Sequence, residues 1–518
     1  MLNATLTAPL QRRRMNVPCA RDPYAEGVRL SAAARHSEAI ACFEQALAAM
    51  PDDTRVLFAL GNTARALGMA GAAENFFRRV LALEPARLEA LVNLANLLRA
   101  NGQSEAAESL LAPALSRSPD APELWLTLGS LYRERGDAVK AEQHYREALA
   151  RNASCAPALG NLADLLADRG EVDEAFALYD RALKSDSRNA QLRLNRAILH
   201  LLRGNLKDGW RDYAARLDVP GKAPVCDHGL PRWNGEPRKG KRLLVTGEQG
   251  VGDQLMFASL IPELAAKENV ILDCEPRLVS LFARSFPNVS VKPQQMETKG
   301  GVTRAHYGWL KAAGGANAAT EMGSLPRILR REISAFPNPH SYLVADEQEK
   351  TRWRETFAGA GNGQSIGICW RSGKTNGLRG LQYAPLEIWA DFIARLQGTI
   401  VCVQYDATQD EIDALQSQSG KKIFVPQGID QKQELDRACA LMSALDCVVS
   451  APTAVSWLAS GAGTPTFKVL YDSSWTSFGE DHEPFGPSAI CVKPQRPSDW
   501  RETFSRAEDL IKARFATA

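Results

Sequence analysis

Small and large apolar side chains recur along residues 20–217 with a period of 34 residues. Counting from Ala20, the eighth place of each period holds Gly27, Gly61, Ala95, Gly129, Ala163 and Ala197. The twentieth holds Ala39, Ala73, Ala107, Ala141 and Ala175. A large side chain fills the twenty-fourth place at Phe43, Phe77, Leu111, Tyr145, Tyr179 and Tyr213, and proline closes the first three units at Pro51, Pro85 and Pro119. Such spacing predicts one helix pair per unit, with small residues where the helices touch and neighbouring units burying each other's apolar faces. The sixth unit departs from the pattern: Gly209 replaces the alanine and the chain runs into GWRDYAARL. From residue 241 the pattern changes to short apolar runs, LLVTG, VILDC and NVSVKP, then SIGICWRSG, TIVCVQYD, KIFVP, DCVVSAP and TPTFKVL. Segments of helical spacing intervene at 276–286, 385–397, 409–418, 432–444 and 453–462. This alternation predicts two parallel sheets covered on both faces, joined near 346–364, with their carboxyl ends facing across a cleft.

The 34-residue pattern resembles the tetratricopeptide repeat, and five units keep one register without a gap. The default role of such a solenoid is to hold a protein or peptide in its groove. Asn93, Asn161 and Asn195 recur at the sixth place of the unit, and Asn62, Asn96 and Asp164 at the ninth. Three residues apart on one helix, these groups share a face. A carboxamide donates and accepts, so a column of them can grip an extended backbone with little regard to its side chains. The competing reading is that they bond between neighbouring helices.

Composition fits a chain of several domains. The 518 residues carry 62 basic and 60 acidic side chains, a net charge of +2, too balanced to suggest nucleic acid or an anionic membrane as partner. No apolar run is long enough to span a bilayer, and the arginine run near the start has no apolar core behind it, against a secretory signal. The ten cysteines are scattered without a CxxC pair, which reads as reduced core thiols in a cytoplasmic protein. The chain thus divides into a disordered N-terminus (1–19), the repeats (20–217), a proline- and glycine-rich connector (218–240) and two α/β lobes (241–345 and 346–518).

The turn after the first strand of the first lobe, TGEQGVGDQLMFAS, offers the first site. Gly247, Gly250 and Gly252 permit close approach of a ligand to the backbone, so the amides about Gln249, Gly250 and Gly252 become candidate contacts. Asp253, at the helix start, sits where ligands of open α/β sheets bind.

Three stretches, EQGVGDQLMFASLIPEL, CWRSGKTNGLRGLQYAPLEIW and SALDCVVSAPTAVSWLASGAGTPTFKVL, resemble in order and spacing the motifs of two-lobed glycosyltransferases of the heptosyltransferase-like class. The resemblance covers about 240–500 and implies two Rossmann-like lobes of a GT-B fold, with acceptor side first and donor side second. Fusion to tetratricopeptide repeats resembles bacterial protein glycosyltransferases, above all the flagellin-modifying ones, which implies a flagellin-like acceptor and a CMP-linked nonulosonic acid as donor. The broad class carries an aspartate before the threonine and a histidine four residues after it, where this chain has Pro452 and Trp457. Thr453 and Ala454 are kept. Either the donor site is altered, with Trp457 stacking on a base or packing in the core, or the lobe has lost catalysis.

An inverting transfer to a hydroxyl needs a base near the acceptor and cations or amides near the departing phosphate. Asp253 is the candidate base; its bland alternative is a helix cap. Arg371, Ser372, Lys374 and Arg379, with Trp370 ahead of them, follow the first strand of the second lobe, where a phosphate would lie. Gln404 and Tyr405 end the next strand within reach of base or sugar, and Ser450, Thr453 and Ser456 surround a helix start whose amides suit a phosphate. No cluster has metal-ligand spacing, so no metal is expected. Two other readings compete: a repeat scaffold with degenerate lobes, and a dinucleotide-dependent oxidoreductase. Asp273 is poorly placed for the second of these, being followed by Cys274, Glu275 and Pro276.

Overall fold

The computed structural model describes residues 22–237, 240–248, 250–299, 302–337, 341–361, 363–373, 380 and 382–516. The stretch 1–19 and the candidate residues Gln249, Lys374 and Arg379 lie outside the described residues. The chain divides into two compact units. One runs to Arg188 and takes in Glu297–Thr303; the other comprises Asn189–Met296 and Arg304–Ala518.

The first unit is a series of helix pairs: α1 (Pro23–Ala32) with α2 (His36–Ala49), α3 (Thr54–Ala66) with α4 (Ala70–Leu83), α5 (Leu88–Ala100) with α6 (Ser104–Arg117), α7 (Pro122–Glu134) with α8 (Ala138–Arg151), and α9 (Ala156–Asp168) with α10 (Val172–Ser185). The eighth-place glycines are small because the twenty-fourth-place ring lies against them. A Cβ on Gly27 would stand 2.5 Å from the Phe43 ring, and one on Gly61 or Gly129 would stand 2.6 Å from Phe77 or Tyr145. The twentieth-place alanines are at most 1% exposed. Each pair turns through a residue with positive φ: Gly68, Gly102, Gly136 and Gly170, but Ala34 (φ 56°) in the first pair.

The sixth pair, α11 (Ala190–Leu202) and α12 (Leu206–Tyr213), belongs to the second unit, whereas the sequence period places the boundary at 217. Trp210 on α12 packs edge-on against Trp475, Phe478 and Phe485 and donates from Nε1 to the Arg330 carbonyl at 2.9 Å.

The first lobe is a parallel sheet of β1 (Arg242–Thr246), β2 (Asn269–Cys274), β3 (Ser290–Pro293) and β4 (Ala318–Glu321), in the order β3-β2-β1-β4. Its helices are α13 (Val251–Ala258), α14 (Ile261–Ala265), α15 (Val279–Ser285) and α16 (Pro326–Leu329). The 218–240 segment is bonded to this lobe. Cys226 pairs with Ala305, Trp233 N–H donates to Ala319 at 2.8 Å, and the Trp233 side chain is 4% exposed.

Where the sequence suggested only a joint, α17 (Glu347–Ala360) opens the second lobe. Its strands β5 (Ser365–Cys369), β6 (Thr399–Cys402), β7 (Ile423–Phe424), β8 (Cys447–Ser450), β9 (Thr466–Val469), β10 (His482–Glu483) and β11 (Gly486–Val492) take the order β7-β6-β5-β8-β9-β11-β10. All pairs are parallel except β10 with β11. The helices are α18 (Leu386–Arg395), α19 (Gln409–Ser419), α20 (Leu435–Ser443), α21 (Ala454–Gly461) and α22 (Trp500–Ala516). Both sheets reverse their winding beside their first strand, between β1 and β4 and between β5 and β8. Ligands of open α/β sheets bind at the carboxyl edge of that reversal.

Among the described residues eight cysteines are free thiols, six of them buried. Among the described residues no helix is long and apolar enough to cross a membrane.

Candidate functional site

At the carboxyl end of β1 the turn is held by a buried glutamine that sequence reasoning did not single out. Gln254, 1% exposed, donates from Nε2 to the Glu248 carbonyl at 2.5 Å and accepts the Glu275 N–H at 2.9 Å. It thereby ties the turn to the end of β2. Glu248 is held by the Arg216 guanidinium at 2.7 and 3.3 Å and by the Gly323 N–H at 2.7 Å. Asp253 is exposed on the first turn of α13. A Cβ on Gly250 would stand 2.7 Å from its Oδ2, so the missing side chain at Gly250 makes room for that carboxylate over the helix start.

Beside the turn lies a cavity of about 190 Å³, lined by Leu217, Lys222, Cys226, Thr246, Glu248 and Glu321 among others. Thr246 and Glu321 line it from paired strands, and Thr246 pairs on its other side with Asp273. Glu321 accepts from Arg232 and Ser324, each at 2.9 Å. Asp273 is 1% exposed. Burial pushes its carboxyl up to about 7, against a hydrogen bond from the Tyr307 hydroxyl. Its Oδ1 has no partner among the described residues.

In the second lobe the geometry corrects several expectations. Arg371 is not available to a phosphate. Its Nε and NH2 grip Glu411 at 2.6 and 2.7 Å, NH1 reaches Asp406 at 3.0 Å and the Ser372 carbonyl at 3.5 Å, and NH2 also donates to the Asp406 carbonyl at 3.1 Å. A guanidinium has five N–H donors, and all five are engaged. Glu411 closes the loop from the other side as the last residue of a capping box with Thr408. Burial alone would raise its pKa, yet bonds from Arg371, the Thr408 N–H and Trp370 hold it down at about 2.

Gln404 is likewise committed. Its Oε1 accepts the Trp370 and Arg371 N–H groups, both at 3.0 Å, and its Nε2 donates to Asp406 at 2.7 Å. It is the second-lobe counterpart of Gln254. Trp370, 2% exposed, is core rather than surface. The Tyr405 hydroxyl accepts the Gly373 N–H at 2.6 Å and so shapes the loop; Ser372 is half-buried in the same loop.

Thr453 caps α21 by accepting the Val455 N–H at 3.2 Å. Ser450 and Ser456 are buried and turn their hydroxyls onto backbone carbonyls, Ala451 at 2.6 Å and Thr453 at 2.8 Å. Trp457 packs in the core: it is 8% exposed, with the Lys468 ammonium 4.3 Å from its ring centroid. Lys468 pairs in turn with Glu483, and both are buried.

The two lobes meet at their helix starts. A Cβ on Gly252 would lie 3.7 Å from the Ala454 Cα and from the Trp457 ring, so the first turns of α13 and α21 are in contact. The Tyr342 hydroxyl donates to the Leu255 carbonyl at 2.9 Å while its N–H bonds to Gly461 at 3.0 Å, and Arg284 pairs with Asp436 across the same seam. The structure therefore brings Gly252 together with Ala454 and the Trp457 ring, with Asp253 and Thr453 next to them in the chain. It leaves Arg371 and Gln404 as scaffolding of a neighbouring loop. Among the described residues no group of His, Cys, Asp and Glu is arranged to hold a metal ion.

On the repeats, the competing reading of the asparagines is realised at several places. Asn93 Nδ2 donates to Asn62 Oδ1 at 3.0 Å and Asn161 Nδ2 to Ser130 at 3.2 Å, each between neighbouring units. Asp164 holds Arg133 at 3.2 Å and accepts the Tyr179 hydroxyl. Within the second unit, Asn195 accepts from Gln191 at 2.5 Å. Asn96 is half-buried on α5.

Residues 24–87 and 92–157, and again 132–194, match the tetratricopeptide repeat family. The sixth pair lies almost wholly outside these matches. Protein FlbA of Caulobacter vibrioides (strain ATCC 19089 / CIP 103742 / CB 15) is 31% identical over 330 residues, 62% of this chain and 55% of that protein. The chain thus spans about half the length of this relative. Among solved structures, TTC0263, a thermophilic TPR protein of Thermus thermophilus, is 30% identical, covering 35% of this chain and 97% of its own with a TM-score of 0.32. Pseudomonas aeruginosa pilF is 19% identical, covering 38% of this chain and 88% of its own with a TM-score of 0.31.

Proposed function

We propose that the protein is a protein O-glycosyltransferase, metal-independent and inverting. The observation that carries this reading is the contact of α13 with α21: two parallel sheets of like winding bring the helix starts beside their reversal points together, with the carboxylate of Asp253 exposed at the seam. The acceptor is a protein gripped by the repeats, flagellin first among candidates, in keeping with the protein-binding role general to such repeats. The donor is a nucleotide sugar, by resemblance a CMP-linked nonulosonic acid. In the transfer, a Ser or Thr hydroxyl oxygen bonds to the anomeric carbon as the bond from that carbon to the CMP phosphate oxygen breaks. The hydroxyl proton passes to Asp253 and CMP leaves as the phosphate monoester.

With Arg371 and Gln404 committed to Glu411, Asp406 and backbone, the phosphate falls to the amides at the start of α21, where the cap residue Thr453 is only 8% exposed. The commitment of those residues, and Trp457 in the core where the broad class has histidine, also favour a second reading: a flagellin-binding repeat scaffold whose lobes have lost catalysis. Single-turnover transfer by the wild type separates the two, and one variant then tests the base. Asp253→Asn is nearly isosteric and should leave CMP-sugar affinity within about twofold while suppressing single-turnover transfer by roughly 10²- to 10⁴-fold. Transfer by this variant at the wild-type rate would make Asp253 a cap and remove the base from the proposal.

A further inference from the structure

We infer that the sixth helix pair is a working part of the two-lobed unit, and that Arg216 at its end is the positioning residue for the turn between β1 and α13. Arg216 is 7% exposed and follows directly from α12 in a single turn of tight helix. Its guanidinium lies 4.9 Å from the Tyr213 ring centroid and grips Glu248 through two nitrogens; it also donates to Ser324 at 3.2 Å. Glu248 is thereby fixed in place beside Gly247, with the Gly323 N–H as its third donor. Its backbone carbonyl is the acceptor for Gln254. Arg216, Glu248 and Gln254 therefore form one chain of bonds from the sixth pair, through the turn, into α13, one residue from Asp253.

The same pair touches the second lobe. Tyr213 lies 6.4 Å from Phe257 of α13 and 5.5 Å from Trp475, and Phe257 and Phe485 are themselves 5.6 Å apart. Seated on both lobes, α12 fixes their seam as well as the turn. A solenoid cap would need only a polar outer face, whereas this pair presents an arginine and two aromatic rings to the α/β core. Arg216 NH1 is buried with no partner among the described residues, so its fork keeps a donor for a group entering at the turn.

The test uses the full chain with Arg216→Ala and, should that variant not fold, Glu248→Gln, which keeps shape but removes the charge that holds the fork. Hydrogen exchange is followed at the amides of 247–254, and kcat and donor KM are measured separately; only the turnover arm rests on the transferase reading. Exchange at those amides should accelerate at least tenfold, while amides of α17 and α22 keep their wild-type rates. Displacement of Asp253 by about an ångström should lower kcat by roughly 10²-fold with KM within about threefold. Arg216→Lys should not restore turnover, because a point charge cannot replace the fork. Unchanged exchange at 247–254 in the folded variants overturns the inference. A uniform rise across the whole unit does so too, since that marks a merely structural pair. If the wild type turns over no nucleotide sugar, the transferase reading falls, and exchange still decides the role of Arg216.

Discussion

Arg371 looks in the sequence like a phosphate ligand and in the structure is the centre of a closed network. Spacing places an arginine at a strand end but says nothing of Glu411, forty residues on, which takes its fork. Arg371→Ala should therefore cost stability, about 1–3 kcal/mol from two carboxylates left without their donors, and Arg371→Lys should recover little of it. Thermal unfolding checks this; an unchanged melting temperature with donor affinity lowered tenfold or more would restore the phosphate role. Gln254 escapes notice for the opposite reason, as one amide within a motif whose glycines draw the eye. Its counterpart Gln404 stands out at a strand end, where spacing suggests a ligand and the structure supplies backbone.

Asp273 carries a pH dependence. Its folded pKa of about 7 lies above the ordinary value of 3.8, so between these values the folded state binds more protons than the unfolded. The stability it contributes is full below about pH 4, declines as pH rises through 7 and is gone above. Asp273→Asn cannot ionise. It should unfold at a higher temperature than the wild type at pH 8 and lack this share of the decline between pH 4 and 7. A variant less stable than the wild type at pH 8 would mean that the carboxylate form is held by a partner.

At the scale of elements the repeats were the most legible part, because a short-range contact recurs. The glycine at the eighth place and the ring at the twenty-fourth meet within a single helix pair, as Gly61 and Phe77 do. The turn residue shows the same regularity. Ala34 takes the left-handed conformation that glycine takes at Gly68, Gly102, Gly136 and Gly170. Ala34→Gly should relieve about 1 kcal/mol of strain; a melting temperature that falls in this variant would contradict it. Eight strands of the lobes and the helices between them were legible from alternation, but β4, β10, β11, α17 and α22 were not. The α17 segment EQEKTRWRETFAGA is polar around most of its circumference and buries only Trp353 and Phe357. The short β4 offers only two alanines, Thr320 and Glu321, too little apolar bulk to mark a strand.

At the scale of the molecule the sixth unit shows where periodicity misleads. Its register continues through Ala197 and Tyr213, yet Trp210 and Tyr213 pack among Phe257, Trp475 and Phe478 rather than on a further repeat. A fragment of residues 189–518 should therefore fold cooperatively. A fragment of 218–518 should expose the aromatic cluster and lose Arg216, giving a soft or aggregating product. Residues 22–188 should stay helical alone and retain acceptor binding. Circular dichroism and denaturant unfolding of the three fragments check these expectations; a well-folded 218–518 would return the boundary to residue 217.

Whether the molecule is an enzyme turns on one covalent event. Full-length protein is incubated with a CMP-nonulosonic acid and purified flagellin, without added metal, and the intact mass of the flagellin is measured over time beside an Asp253→Asn reaction. The glycosyltransferase account predicts a gain of one or more sugar residues with the wild type and little or none with the variant. Flagellin that binds the protein yet keeps its mass, with every nucleotide sugar supplied, would contradict it and leave a scaffold.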